Sequence, residues 1–410
     1  MLNTLWVSFF AIAFGASVLQ FIGGDPAIFG TVMKAAFEAA RTAFEVALGL
    51  TGVMCLWLGV MKVGERAGFL DLLGRALAPL FARLFPDVPK GHPALGSITM
   101  NMAANVLGLD NAATPMGLKA MRELQTLNPS PDTASNAQIL FLVLNASSVT
   151  LLPVTIFTYR AQMGAQDPTD VFIPILMATY CSTLAGFLFV ATMQRLRLDA
   201  VVLAWLGGLT AVVGGAALYF AQLPAEQMTA QSSALSNFLL LGLVTLFLLG
   251  AMAKRVNAYE AFIDGAKDGF QTAVTIIPYL VAMLVGIGML RASGALPAFV
   301  EGVRGIVAGL GFDTAWVDGL PTILMKPLSG SGARAMMVET MQASGADSFA
   351  GRLASIVQGS TETTFYVLAV YFGAVGIKRV RYAVAGGLVA DLGGFAAAIA
   401  AAYLFFGIAA

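Results

Sequence analysis

The sequence predicts an all-α polytopic membrane protein: about nine transmembrane helices plus two re-entrant hairpins and amphipathic helices, arranged as inverted-topology repeats. Three observations carry this. Of 410 residues, 58% are hydrophobic and only 11% are charged, whereas a soluble domain runs at about a quarter charged. Apolar runs long enough to span a bilayer recur along the whole chain. Two further apolar stretches are broken by Gly, Pro, Asn and Ser, which is tolerated at membrane depth only where protein or a cavity covers them.

Taken in order, spans are expected at about 3–22, 43–63, 136–160, 171–193, 200–221, 236–253, 271–290, 353–373 and 383–408. The first lacks a basic flank and reads as a retained span, not a cleaved signal. The broken stretches are 94–124 and 317–342. Charges at helical spacing near 28–41, 69–85, 257–268 and 296–309 predict interfacial amphipathic helices. Segment 222–235 reads as a polar external loop. With the N-terminus inside, Lys and Arg divide 15 inside to 8 outside. That favours a cytoplasmic N-terminus and an external C-terminus.

The halves repeat. Shifted by 226, Ala40-Arg41-Thr42-Ala43-Phe44 lies on Ala266-Lys267-Asp268-Gly269-Phe270. Shifted by 215, Gly117-Leu118-Lys119-Ala120-Met121 lies on Gly332-Ala333-Arg334-Ala335-Met336. The expected division is a first repeat over 1–199, a linker span over 200–222 and a second repeat over 223–410. Four spans per repeat plus one linker span place the second repeat upside down relative to the first.

Polar residues inside these segments are the candidate chemistry. Asn105, Asn111 and Thr114 precede Pro115, a favourable first helical residue, and Ser329 and Ser331 sit among glycines before Ala333. Each hairpin therefore offers a half-helix N-terminus attractive to anionic groups. Lys119 and Arg334, one turn in, suit either an anionic solute or snorkelling to the interface. Asn145, Ser147 and Ser148 in one half match Gln358, Ser360, Thr361 and Thr363 in the other. Their hydroxyls and amides suit a polar solute or a dehydrated cation. Glu362 and Asp391 are intramembrane acids, expected to couple transport to an ion.

Composition excludes little else. Lys and Arg balance Asp and Glu at 23 each, which gives no sign of nucleic-acid binding. Cys55 and Cys181 sit in apolar runs and read as buried thiols. With His92 the only histidine, no metal site or His-based triad is expected, and no cofactor beyond a coupling Na+ or H+.

Two motifs resemble a known family. Asn105–Gln125, N-V-L-G-L-D-N-A-A-T-P-M-G-L-K-A-M-R-E-L-Q, is similar to spore maturation protein A. Lys326–Arg334, K-P-L-S-G-S-G-A-R, and Gln358–Gly373, Q-G-S-T-E-T-T-F-Y-V-L-A-V-Y-F-G, resemble spore maturation protein B. The chain thus resembles a fused form of these nucleoside-recognition, or gate-domain, membrane proteins. The resemblance implies two gate domains akin to those of nucleoside transporters and ferrous-iron permeases, and it leaves the solute open.

The leading expectation is a secondary transporter for a small polar or anionic solute, nucleoside-like or carboxylate-like, coupled to H+ or Na+. Its partners would be the solute and the bilayer, with a homo-oligomer open. The alternative is a non-transporting scaffold or regulator of envelope or spore maturation. An enzyme with Ser331 as nucleophile and Lys326 as base is the weakest reading, and no enzymatic activity is expected.

Overall fold

The computed structural model describes residues 2–147 and 149–407, without the side chains of Leu2, 110–112, 225, 226 and 229. The described residues are almost entirely helical. The first half comprises α1 (Leu2–Ile22), α2 (Ile28–Arg66), α3 (Phe69–Leu84), the hairpin α4 (Pro93–Val106) and α5 (Asp110–Thr126), α6 (Asn136–Ala146), α7 (Val154–Gln162) and α8 (Phe172–Gln194). Then come α9 (Ala200–Ala221) and α10 (Ala225–Ala253). The second half comprises α11 (Ala258–Ala292), α12 (Ala295–Gly309), the hairpin α13 (Leu320–Met325) and α14 (Gly330–Ser344), α15 (Phe349–Ser360), α16 (Thr364–Gly373) and α17 (Ala383–Phe406).

Seven of these helices are long and apolar enough to cross a membrane: α1, α2, α8, α9, α10, α11 and α17. The predicted spans 136–160 and 353–373 are each built from two shorter helices, α6 with α7 and α15 with α16. Two separations expected from sequence are absent. The amphipathic stretch 28–41 runs straight into the span 43–63 as one 39-residue helix, and 257–268 runs into 271–290 as one of 35 residues. Neither junction carries a proline, so nothing halts the hydrogen-bond ladder. Segment 222–235 is likewise not a loop, because α10 begins at Ala225 directly after Pro224. The residues that follow, alanine, glutamate, glutamine and methionine among them, are good helix formers.

The chain divides into two compact units, each drawing on both halves. The first comprises Met1–Leu58, Thr155–Pro168 and Ala266–Gln358. Within it Trp6 Nε1 donates to Ala282 O (2.9 Å) and Gln20 Nε2 to Ser293 O (2.6 Å), tying α1 to α11. The two long helices cross backbone to backbone: a Cβ at Gly269 would lie 2.7 Å from Met54 O and 2.8 Å from Cys55 Cα. Arg160 on α7 is fully buried; it donates to Ala346 O (2.8 Å) and pairs with Asp347 (3.2 Å).

The second unit comprises Gly59–Val154, Thr169–Gly265 and Gly359–Ala410. Its centre is α8 against α17, where small residues let the helices close. A Cβ at Gly393 would lie 2.6 Å from Ala185 Cβ, and one at Gly186 2.8 Å from Ala390 Cβ. The apolar core around Ile98, Met121, Ile139, Phe141 and Phe372 surrounds α6 and holds the first hairpin against it.

Candidate functional site

The first broken helix stops for local reasons. Ser147 ends α6, its Oγ bonding back to Val143 O at 2.8 Å, a hydroxyl habit that competes with helix continuation. Pro153 then lacks the N–H needed to resume the ladder, and α7 starts at Val154. The second break falls at Thr361-Glu362-Thr363. β-Branched residues with hydroxyls disfavour the helix there.

In the second unit these breaks meet the first hairpin. Leu151 N–H, in the first break, donates to Val106 O at the end of α4 (2.8 Å), and Glu362 N–H donates to Ala146 O at the end of α6 (2.8 Å). The hairpin reverses at Gly108, whose φ of 71° suits glycine. A Cβ there would lie 2.7 Å from Leu152 O, so the tip touches the break through bare backbone. The tip therefore sits at Leu107–Leu109, ahead of the position expected from Pro115. Helix α5 already begins at Asp110 and carries Pro115 inside it.

Side chains reinforce the junction. Asn145 is 4% exposed, and its Oδ1 accepts from Asn105 Nδ2 (2.9 Å) and Tyr371 Oη (3.3 Å). Asn101, fully buried, gives its Nδ2 to Ala113 O (2.7 Å), while its Oδ1 has no donor among the described residues. Beyond the second break, Thr364 Oγ1 donates to Asp391 Oδ2 at 2.7 Å. Ser147 O accepts from Thr183 on α8.

The second hairpin lies in the first unit. Ser329 caps α14, its Oγ accepting from Gly332 N–H (3.0 Å) and lying 3.2 Å from Ser331 Oγ. Lys326 is 3% exposed and donates from Nζ to Gln358 O (2.8 Å), which fixes the hairpin to the end of α15. An ammonium on the last carbonyls of a helix is favoured by the dipole. Arg160 and Lys326 are thus buried groups bonded to backbone.

The remaining predicted residues are placed as follows. Gln358, Ser360, Thr361 and Thr363 are buried, and Glu362 between them is exposed. Asn105, Thr114, Ser331 and Arg334 are half-buried. Arg334 Nε donates to Gly330 O (3.2 Å), and exposed Lys119 faces Glu123 at 4.0 Å. Ser148 and the side chain of Asn111 lie outside the described residues. Tyr371 and Ser182 were not expected; each sits in a run that reads as plain apolar helix. A cavity of about 450 Å3 elsewhere in the second unit, bordered by Asp87, Asn128, Ser130 and Arg381, includes none of the predicted residues.

Both hairpins and both breaks fall inside the segments 47–163 and 273–378, which match the gate family model, described as nucleoside recognition. The chain belongs to this gate family. Two curated gate relatives come from Bacillus subtilis (strain 168). Spore maturation protein A is 38% identical over 188 residues, 46% of this chain and 93% of that protein. Spore maturation protein B is 44% identical over 177 residues, 42% of this chain and 98% of that protein. No solved structure matches this gate protein. The gate model stops short of α8 and α17, so Ser182 and Asp391 lie outside the matched segments.

Proposed function

We propose that this protein is a secondary transporter of the bacterial cytoplasmic membrane, moving a small polar or anionic solute, nucleoside-like or carboxylate-like, with H+ or Na+. The observation that carries this is the meeting of two interrupted helices, Glu362 N–H on Ala146 O, beside the tip of a broken hairpin. Interrupted helices at membrane depth offer free backbone groups to a solute and its ion, the construction used by transporters built from repeats. The name of the gate family, nucleoside recognition, suits a solute that presents hydrogen-bonding edges.

The shared order of helices in the two halves supports paired repeats over 1–199 and 223–410 joined by α9. The charge distribution supports an inverted relation, with the N-terminus cytoplasmic and the C-terminus outside. In this reading the protein makes and breaks no covalent bond.

The test has two stages. Purified protein is screened by thermal shift against nucleosides, dicarboxylates, amino acids and peptidoglycan fragments. Hits are then followed as radiolabelled uptake into proteoliposomes. Saturable, gradient-driven uptake is expected. Binding without any uptake across imposed Na+ and H+ gradients would leave a scaffold.

A further inference from the structure

Outside the segments matched by the gate model, α17 presents Gly387, Asp391 and Gly394 on one face, at helical spacings of four and three. The glycines form a groove for the second break. A Cβ at Gly387 would lie 2.4 Å from Thr364 Cγ2, and one at Gly394 2.7 Å from Thr361 Cγ2 and 3.0 Å from Ser182 Cβ. Along this face lie a carboxylate and three hydroxyl-bearing side chains from α8, α17 and the break, with Ser182 Oγ 3.4 Å from the Cβ position at Gly394 and Thr361 turning its methyl to the same glycine. All are buried: Asp391 at 1%, Thr361 at 3%, and Ser182 and Thr364 at 0%. Thr364 Oγ1 already donates to Asp391 Oδ2 (2.7 Å). Among the described residues the Ser182 and Thr361 hydroxyls have no hydrogen-bond partner. Two buried hydroxyls on side chains that both touch Gly394 are costly unless something supplies their missing partner.

We propose that Asp391, Thr361, Thr364 and Ser182 form a binding site for one Na+ ion, which serves as the coupling ion of the transport reading above. The donor set is all oxygen, which suits a hard cation. One carboxylate among neutral hydroxyls balances a single positive charge. Among the described residues no group of three or more His, Cys, Asp or Glu gathers anywhere, so the site is not a multi-carboxylate cage for a divalent ion. Helix α15 ends at Ser360, directly before Thr361, and turns its negative dipole end toward the site. Sodium here would also tie the second break to α17, and so link occupancy of the ion site to the geometry of Glu362 and Ala146. Exposed Glu362 is left facing the solute.

The full-length protein in detergent is titrated with NaCl against choline chloride at constant ionic strength, with the unfolding temperature read at each point. A saturable rise with Na+, absent with K+ and choline, is expected. Thr361→Val and Ser182→Ala remove an oxygen with little change of shape. Each should raise the half-saturating Na+ concentration at least about tenfold. Wild-type protein without a Na+-specific rise overturns the site, as do variants that titrate like wild type. Stability that follows pH but ignores Na+ overturns it in favour of a proton site. Because binding is read without flux, the two readings fail separately. Na+ binding with no solute uptake overturns the transporter and keeps the site, whereas uptake indifferent to Na+ overturns the coupling role.

Discussion

The N–H of Glu362 donates to the carbonyl of Ala146 at 2.8 Å, so the second interrupted helix pair is pinned where the first one stops. A main-chain bond between residues 216 positions apart holds whatever the side chain at 362 is, which separates the chemistry of the glutamate from the geometry of the break.

That separation makes Glu362→Gln informative. The side chain is exposed and its backbone bond survives substitution, so the unfolding temperature should stay within error of wild type. Solute uptake in proteoliposomes should fall sharply. A lowered unfolding temperature with uptake retained would give the glutamate a structural role.

Asn145 should behave in the opposite way. Asn145→Leu removes the acceptor shared by Asn105 and Tyr371, leaving two donors unsatisfied at about 1–3 kcal/mol each. Thermal or denaturant unfolding should show a loss of that order. Unchanged stability with weakened solute binding would move Asn145 from scaffold to solute contact.

Gly269→Ala tests the crossing of α2 and α11. Alanine in a helix ordinarily stabilises by roughly 0.5–1 kcal/mol over glycine. At Gly269 the added methyl meets backbone of Met54 and Cys55 that cannot turn aside, so the sign should reverse, with a loss of about 1–3 kcal/mol. Gly373→Ala, with no atom within 4 Å of the new methyl, is the control and should be neutral or mildly stabilising.

Asp199 offers a pH test outside the membrane. It caps α9, accepting from Val201 N–H (3.1 Å) and Val202 N–H (3.0 Å), and pairs with Arg83. The Val202 amide first, and the Arg83 guanidinium as well, hold its carboxyl below the usual aspartate value. A depressed folded value gives stability that is present above the unfolded value and is lost as pH falls through the folded one. The unfolding-temperature gap between wild type and Asp199→Ala should therefore be constant near neutrality and close below the ordinary carboxylate range. A gap unchanged in acid would dissociate the cap from its charge.

Much of this architecture was legible. The Gly, Pro, Asn and Ser interruptions at 94–124 and 317–342 marked both hairpins, because such residues are costly inside a continuous apolar helix. The polar clusters at 145–150 and 358–364 marked the interruptions, although they read as spans with polar faces and not as breaks. Their ends depend on Ser147 bonding its own helix and on the Pro153 amide, effects of a single residue that hydropathy averages away. Tyr371 and Ser182 were invisible for another reason. Each lies in an apolar run, and its importance comes from partners such as Asn145, 226 positions from Tyr371. No local pattern encodes such a pairing.

Arg160 carries a consequence for biogenesis. Its guanidinium is buried against Ala346 and Asp347, 186 and 187 positions further along the chain. A ribosome releases α7 long before it makes those acceptors. Through that interval the nascent chain holds a cation at the membrane that has not reached its final carbonyl and carboxylate. Until residue 347 emerges, the neighbouring carbonyls of Asp167 (3.5 Å) and Pro168 (3.3 Å) are there to hold that guanidinium. A chain cut between the halves would keep this local pair of acceptors and lose the distant one.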